Sequence, residues 1–167
     1  MALDRAAAEY GEGLPVLVLA GLLGSGRNWT SVAQKLAASH RVFTLDLRNH
    51  GASPWAATMT YAEMAEDVRA FVKAKGLGRV ALIGHSMGGK VAMTVALANG
   101  EIVERLVVVD IAPAAYPPTH LDYVRAMRAV DLGRVTRRAE VDVQLIAAVP
   151  NPAERAFILQ NLVLGDG

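Results

Sequence analysis

The 167 residues predict an α/β protein: a mostly parallel sheet flanked by helices, then a helical cap. Three observations carry this expectation. Apolar runs at Pro15 to Leu19, Arg79 to Ile83 and Arg105 to Asp110 have the length and composition of strands within a covered sheet. Segments of helical spacing separate them, and strand-helix alternation implies right-handed crossovers and parallel pairing. Past Pro113 the strand pattern stops, and only helical patterns follow Pro117-Pro118.

Residues 3 to 10 fit an edge strand, and Gly11-Glu12-Gly13 turns the chain into the first apolar run. Gly21-Leu22-Leu23-Gly24-Ser25-Gly26 is a glycine-rich loop, with Asn28 expected to cap a helix reaching about Ala38. Arg41 to Leu45 gives the next strand, ending at Asp46, which is expected to anchor the long polar loop through Trp55. Thr60 and Glu63 form a capping box for a helix to about Lys75, where Gly76 and Gly78 end it. Gly100 closes the helix after the strand at 79 to 83. Helices are expected at about 121 to 130, 136 to 148 and 152 to 164. The organisation predicted is a core over 1–113 and a cap segment over 114–167 that is not an independent domain.

Composition removes several function classes. Seventeen basic residues against 16 acidic leave a formal charge of +1, so no global field recruits nucleic acid or an anionic membrane. The absence of cysteine excludes disulfides, thiolate metal sites and a thiol nucleophile, and suits a reducing cytoplasm. The apolar run Leu14 to Leu23 is too short to span a bilayer and lacks a preceding basic segment. No His or carboxylate cluster has ligand spacing, so neither a metal nor a cofactor is expected.

The chemistry concentrates at Val80 to Ala92, where a strand enters Gly84-His85-Ser86-Met87-Gly88 and leaves as a small-residue helix. Gly-x-Ser-x-Gly between strand and helix is a nucleophile elbow. Its tight turn strains the central residue, and small neighbours let chain segments pass close by. Ser86 would stand above the sheet edge, with the amides of the following helix facing the same point. That arrangement suits attack on a carbonyl.

Four segments together resemble the α/β-hydrolase superfamily, closest to small bacterial esterases acting on short acyl esters and acyl-CoA thioesters. They are Leu22-Leu23-Gly24-Ser25 after its strand, Asp46-Leu47-Arg48-Asn49-His50-Gly51-Ala52-Ser53, Gly84 to Lys90, and Val109-Asp110-Ile111-Ala112-Pro113. The resemblance implies a serine hydrolase with an oxyanion hole formed by the backbone N–H groups of Leu22 and Met87. Family members carry His-Gly where this chain has Ala20-Gly21, a change that leaves the backbone donor in place. The family's chain order is serine, acid, histidine, and Asp110 fits the acid. The same aspartate would alternatively cap the turn at Pro113 through local hydrogen bonds.

Only His120 follows Asp110, at the start of the cap with no strand to place it, so the base is expected outside this polypeptide. His85 is expected to point away from Ser86. By the resemblance, the last strands, a helix and the catalytic histidine would follow Gly167, leaving this chain catalytically incomplete. The strand at 105 to 110 would then have a free edge, through which the chain is expected to self-associate.

Trp29, Trp55, Tyr116, Tyr123 and Met127 are candidates for an acyl pocket, and equally for plain core. Arg125, Arg128, Arg134, Arg137 and Arg138 outnumber nearby acids and would meet the phosphates of a CoA ester, or else form a solvated helix face. Two rivals stand beside the esterase. One is an interaction or scaffold protein on the same fold. The other is a nucleotide binder at 21–28, although Arg27 and Asn28 replace the lysine and hydroxyl a P-loop requires.

Overall fold

The computed structural model describes residues 6–117 and 120–165. Five strands form one sheet in the order β1-β3-β2-β4-β5: β1 Ala7–Tyr10, β2 Leu14–Leu19, β3 His40–Leu45, β4 Val80–His85 and β5 Val103–Val109. β1 runs antiparallel on β3, with Ala7 opposite Leu45; every other pairing is parallel. The chain belongs to the mostly parallel α/β class that the alternation implied.

The period-two alternation of β2 divides the core. Val16 and Val18 face one side with Val42 and Ala33 of helix α1 (Thr30–Leu36). Leu17 and Leu19 face the other side with Phe43, Leu45 and Leu82, under α2 (Tyr61–Ala74) and α3 (Met87–Ala98). Met64, Ala65, Val68, Phe71 and Val72 form the buried stripe of α2 at helical spacing. Burying each large apolar side chain contributes about 1.5–3 kcal/mol relative to exposure.

This topology fixes where a site can lie. From β2 the chain crosses to β3 on one side through α1, then returns to β4 on the other side through α2. The connections after β2 and β4 therefore diverge to opposite faces, opening a crevice beyond the carboxyl ends of the two strands.

Two expectations are corrected. Asn28 does not cap α1: Gly26–Trp29 form a 3-10 turn, and the Asn28 side chain accepts from Ser25 N at 2.8 Å. β5 is not covered on both faces. Leu106, Val107 and Val109 are exposed, and β5 pairs only with β4 among the described residues.

The Thr60–Glu63 box forms as read. Glu63 accepts from the Thr58 hydroxyl at 2.5 Å and from Thr60 N and Oγ1 at 2.8 Å each. The Thr58 bond foremost, then those from Thr60, hold its pKa down from 4.5 to about 2. A depressed carboxylate pKa stabilises the fold above 4.5, and that stability is lost as pH falls towards 2. Glu63→Gln is therefore expected to flatten the fall in urea midpoint between about pH 5 and about pH 2.5 relative to wild type.

Contacts divide the chain into two compact units, Met1–Pro113 and Ala114–Gly167. The second contains α4 (Leu121–Ala129), α5 (Arg138–Leu145) and α6 (Pro152–Leu159). Within it Arg155 is buried, donating to Asp142 and to the carbonyls of Val149 and Pro150, each at 2.9 Å, which ties α6 to α5. The Tyr123 hydroxyl donates to Glu154 at 2.5 Å, joining α4 to α6.

Candidate active site

Four non-glycine residues among those described have positive φ: Leu23 at 62°, Asn49 at 64°, Ser86 at 50° and Asp110 at 55°. Each lies in the connection that follows one of the four parallel strands, in the order β2, β3, β4, β5. Backbone strain of order 1–3 kcal/mol per residue thus gathers along the carboxyl edge of the sheet.

Ser86 has φ 50° and ψ −118°, between β4 and α3. Its N–H donates to Val109 O at 3.0 Å, and its carbonyl accepts from Lys90 N at 3.1 Å. The first bond fastens the elbow to β5; the second starts α3. Gly84 and Gly88 are required by space, since neither has positive φ. A Cβ on Gly84 would sit 2.7 Å from Gly89 Cα, and one on Gly88 would meet the backbone carbonyls of Leu19 and Ala20. The elbow is packed directly on the end of β2.

That contact brings in the glycine-rich loop. Gly24 N donates to Gly21 O at 3.0 Å, closing a turn with Leu23 at positive φ, as type II geometry requires. A Cβ at Gly21 would lie 3.2 Å from Ser86 Cβ and 3.1 Å from His85 Nδ1, so a larger residue there would press on the elbow and require it to give slightly. Leu22, the expected oxyanion donor, follows Gly21 directly. Met87 opens α3, where N–H groups have no intrahelical acceptor. The loop at 21–26 is closed on itself by its own backbone.

Asp46 anchors two connections at once, accepting from Gly26 N at 2.7 Å and from Ala52 N at 2.9 Å. Arg48, part of a polar loop by sequence, is buried. It meets Asp67 through Nε at 2.7 Å and Nη2 at 2.9 Å, and donates to the carbonyls of Thr58 and Glu63. Asp67 foremost raises the Arg48 pKa, so the guanidinium stays charged. The two side chains are 3% and 0% exposed. Arg48 followed by a distant helical acid gives no short-range pattern, so the pair was missed.

Asp110 follows β5 with its side chain 86% exposed, and its Oδ2 lies 3.9 Å from His85 Nε2. His85 also lies 6.1 Å from the Trp29 ring, centroid to centroid. Trp29 is thus beside the elbow. Trp55 is not enclosed among the described residues: it is 82% exposed. Tyr116, Tyr123 and Met127 belong to the second unit, where Tyr116 is exposed and Tyr123 engages Glu154. Among the described residues no group of three His, Cys, Asp or Glu is arranged to hold a metal ion, and no helix is long and apolar enough to cross a membrane.

A strained serine between a parallel strand and a helix, with a glycine turn pressed against it, defines the elbow class of α/β protein. The chain belongs to the alpha/beta hydrolase fold family, whose sequence model matches residues 15–158. It is 42% identical over 161 residues to the sn-1-specific diacylglycerol lipase ABHD11 of Danio rerio, covering 91% of this chain and 50% of that one. Over 153 residues it is 31% identical to Esterase YbfF of Escherichia coli (strain K12), covering 91% and 60%. Among solved structures, a marine microorganism esterase matches with a TM-score of 0.95 at 39% identity, covering 99% of this chain and 66% of that one. The chain spans about half the length of the vertebrate relatives it matches.

Proposed function

We propose that this chain carries the nucleophile of a serine hydrolase cleaving carboxylic esters or thioesters. The observation that carries the reading is Ser86 at φ 50° with Gly21 against it, a strained position of the kind that gathers at active sites. In this mechanism Ser86 Oγ attacks the acyl carbon while a base takes its proton. The oxyanion accepts from the Leu22 and Met87 amides, the alcohol or thiol leaves with the proton, and water then releases the acid. Asp110 is the acid that would orient the base. His120 is the one histidine after Asp110 in the sequence, and we assign it no role, so the 167 residues act slowly on their own.

Relatives named esterase and lipase support an ester as substrate. The acyl-CoA reading gains less support, because Arg125, Arg134 and Arg137 pair with Asp122, Asp131 and Glu140. The lack of cysteine favours a cytoplasmic setting.

Chemical rescue tests the nucleophile. Labelling of Ser86 by a fluorophosphonate is expected to be slow, to rise about tenfold or more with added imidazole acting as an untethered base, and to vanish in Ser86→Ala. Brisk labelling without imidazole would mean that a base within the chain has been overlooked. Label remaining in Ser86→Ala would remove Ser86 from the mechanism.

We also propose that β5 pairs with β5 of a second copy. It is seven residues long, contains no proline and exposes three apolar side chains. Sedimentation velocity is expected to show reversible dimers, with Val107→Lys monomeric. A monodisperse wild-type monomer at high concentration would exclude this pairing.

A further inference from the structure

We propose that the loop after β3 docks the carboxyl edge of the sheet onto an uncharged lipid–water surface, with Trp55 as the anchor. The proposal rests on the hydrolase reading only for its purpose, since an ester held in a lipid phase must be met at that edge.

The thirteen residues Asn49 to Tyr61 contain no Asp, Glu, Lys or Arg, although 20% of the chain is charged and about three would be expected. Of the charges on either side, Arg48 is buried on Asp67, whereas Glu63 is partly exposed with its carboxylate taken up by the Thr58 hydroxyl and by the amide and hydroxyl of Thr60. The exposed side chains of the segment include Pro54, Trp55, Ala57, Thr58 and Tyr61. At 82% exposure Trp55 is the most exposed aromatic residue among those described. A tryptophan with a nearby tyrosine and no charge between them is the composition of a membrane interface, where amphipathic rings sit at the level of the headgroups.

The display is rigid. Asn49 brackets the tip from both sides, donating from Nδ2 to Ala56 O at 3.1 Å and accepting from Ala56 N at 2.6 Å. Asn49 N donates to Pro54 O at 3.3 Å, and the Ser53 hydroxyl donates to Asp46 O at 2.7 Å. A slack loop would fold its indole inward, whereas this one holds it in water. A preorganised anchor loses little conformational entropy on docking. Asp46 also binds Gly26 N, so the docking loop and the turn carrying Leu22 share one anchor. The net charge of +1 supplies no attraction to anionic headgroups, so the surface favoured is zwitterionic or neutral. A single aromatic anchor makes the contact weak and reversible.

The test uses phosphatidylcholine vesicles, with and without diacylglycerol, and the intact chain. In Trp29→Phe, whose emission comes from Trp55 alone, vesicles are expected to shift the emission to the blue, and brominated lipid to quench it. In co-sedimentation Trp55→Ser and Ala57→Glu are each expected to bind about tenfold less than wild type, and added phosphatidylserine to change binding less than about twofold. Ser86→Ala is expected to bind vesicles as wild type does, which separates this result from the fate of the hydrolase reading. Trp55 emission unaffected by vesicles, or equal binding by Trp55→Ser, would overturn the proposal. So would a blue shift that grows with protein concentration without lipid, since a second copy would then cover the loop.

Discussion

Arg48→Ala is expected to lower the free energy of unfolding by about 3–5 kcal/mol, because it leaves the Asp67 carboxylate buried without its bidentate partner. Both side chains are almost wholly removed from solvent, so screening does not dilute the loss. The same change frees the carbonyls of Thr58 and Glu63 and loosens the segment from Leu47 to Thr60. Urea denaturation followed by circular dichroism measures it. The double variant Arg48→Leu, Asp67→Leu separates charge from packing. With no buried ion left unpaired it is expected to be less destabilised than Arg48→Ala alone, a non-additivity that defines the coupling. A loss below about 1 kcal/mol in Arg48→Ala would mean that water reaches Asp67.

What could be read in advance divides by the range of the interaction. The Thr60–Glu63 box spans three residues, and its signal lies in the local sequence. The elbow is legible for a similar reason: Gly84 and Gly88 are spaced by the steric demands of one turn packed on one neighbouring strand. Helix α1 begins differently from the reading because Ser25 and Asn28 satisfy each other in a 3-10 turn, where Asn28 caps that turn and not α1. The pair of Arg48 and Asp67 lies beyond local pattern, joining residues nineteen apart. An arginine followed by Asn, His, Gly and Ser reads as solvated loop; only the fold shows the loop strapped onto α2. Trp55 is the opposite case. Tryptophan is usually well buried, yet Asn49 closes the loop and leaves the ring outside.

The four strained residues connect fold to chemistry. Leu23, Asn49, Ser86 and Asp110 occupy equivalent places after successive parallel strands, and each loop is tied to a neighbour. Gly26 N reaches Asp46, Ser86 N reaches Val109 O, and Gly21 presses on His85 and Ser86. Strain persists where the surroundings over-determine the backbone, and these cross-links are that over-determination. Ser86→Gly, which relieves a positive φ, should stabilise the fold while removing the nucleophile, whereas most substitutions along this edge should do the reverse.

Gly88→Ala probes the tightest of these contacts. Alanine is the smallest possible addition and its backbone angles are permitted there, so any effect comes from space alone. Its Cβ would meet the carbonyls of both Leu19 and Ala20, backbone atoms at and just past the end of the central strand that cannot rotate aside. Either α3 moves off the sheet or the end of β2 moves with the Gly21 turn behind it. The expected cost is about 1–3 kcal/mol of stability from overpacking. Displacement of a single oxyanion donor would add about a 10²–10³-fold loss in imidazole-assisted labelling of Ser86. Gly100→Ala is the control, since its Cβ has no neighbour within 4 Å and its φ is not positive; it is expected to leave both quantities nearly unchanged. Gly88→Ala matching that control in both measurements would show that the elbow and the glycine turn are not in the contact on which the oxyanion assignment depends.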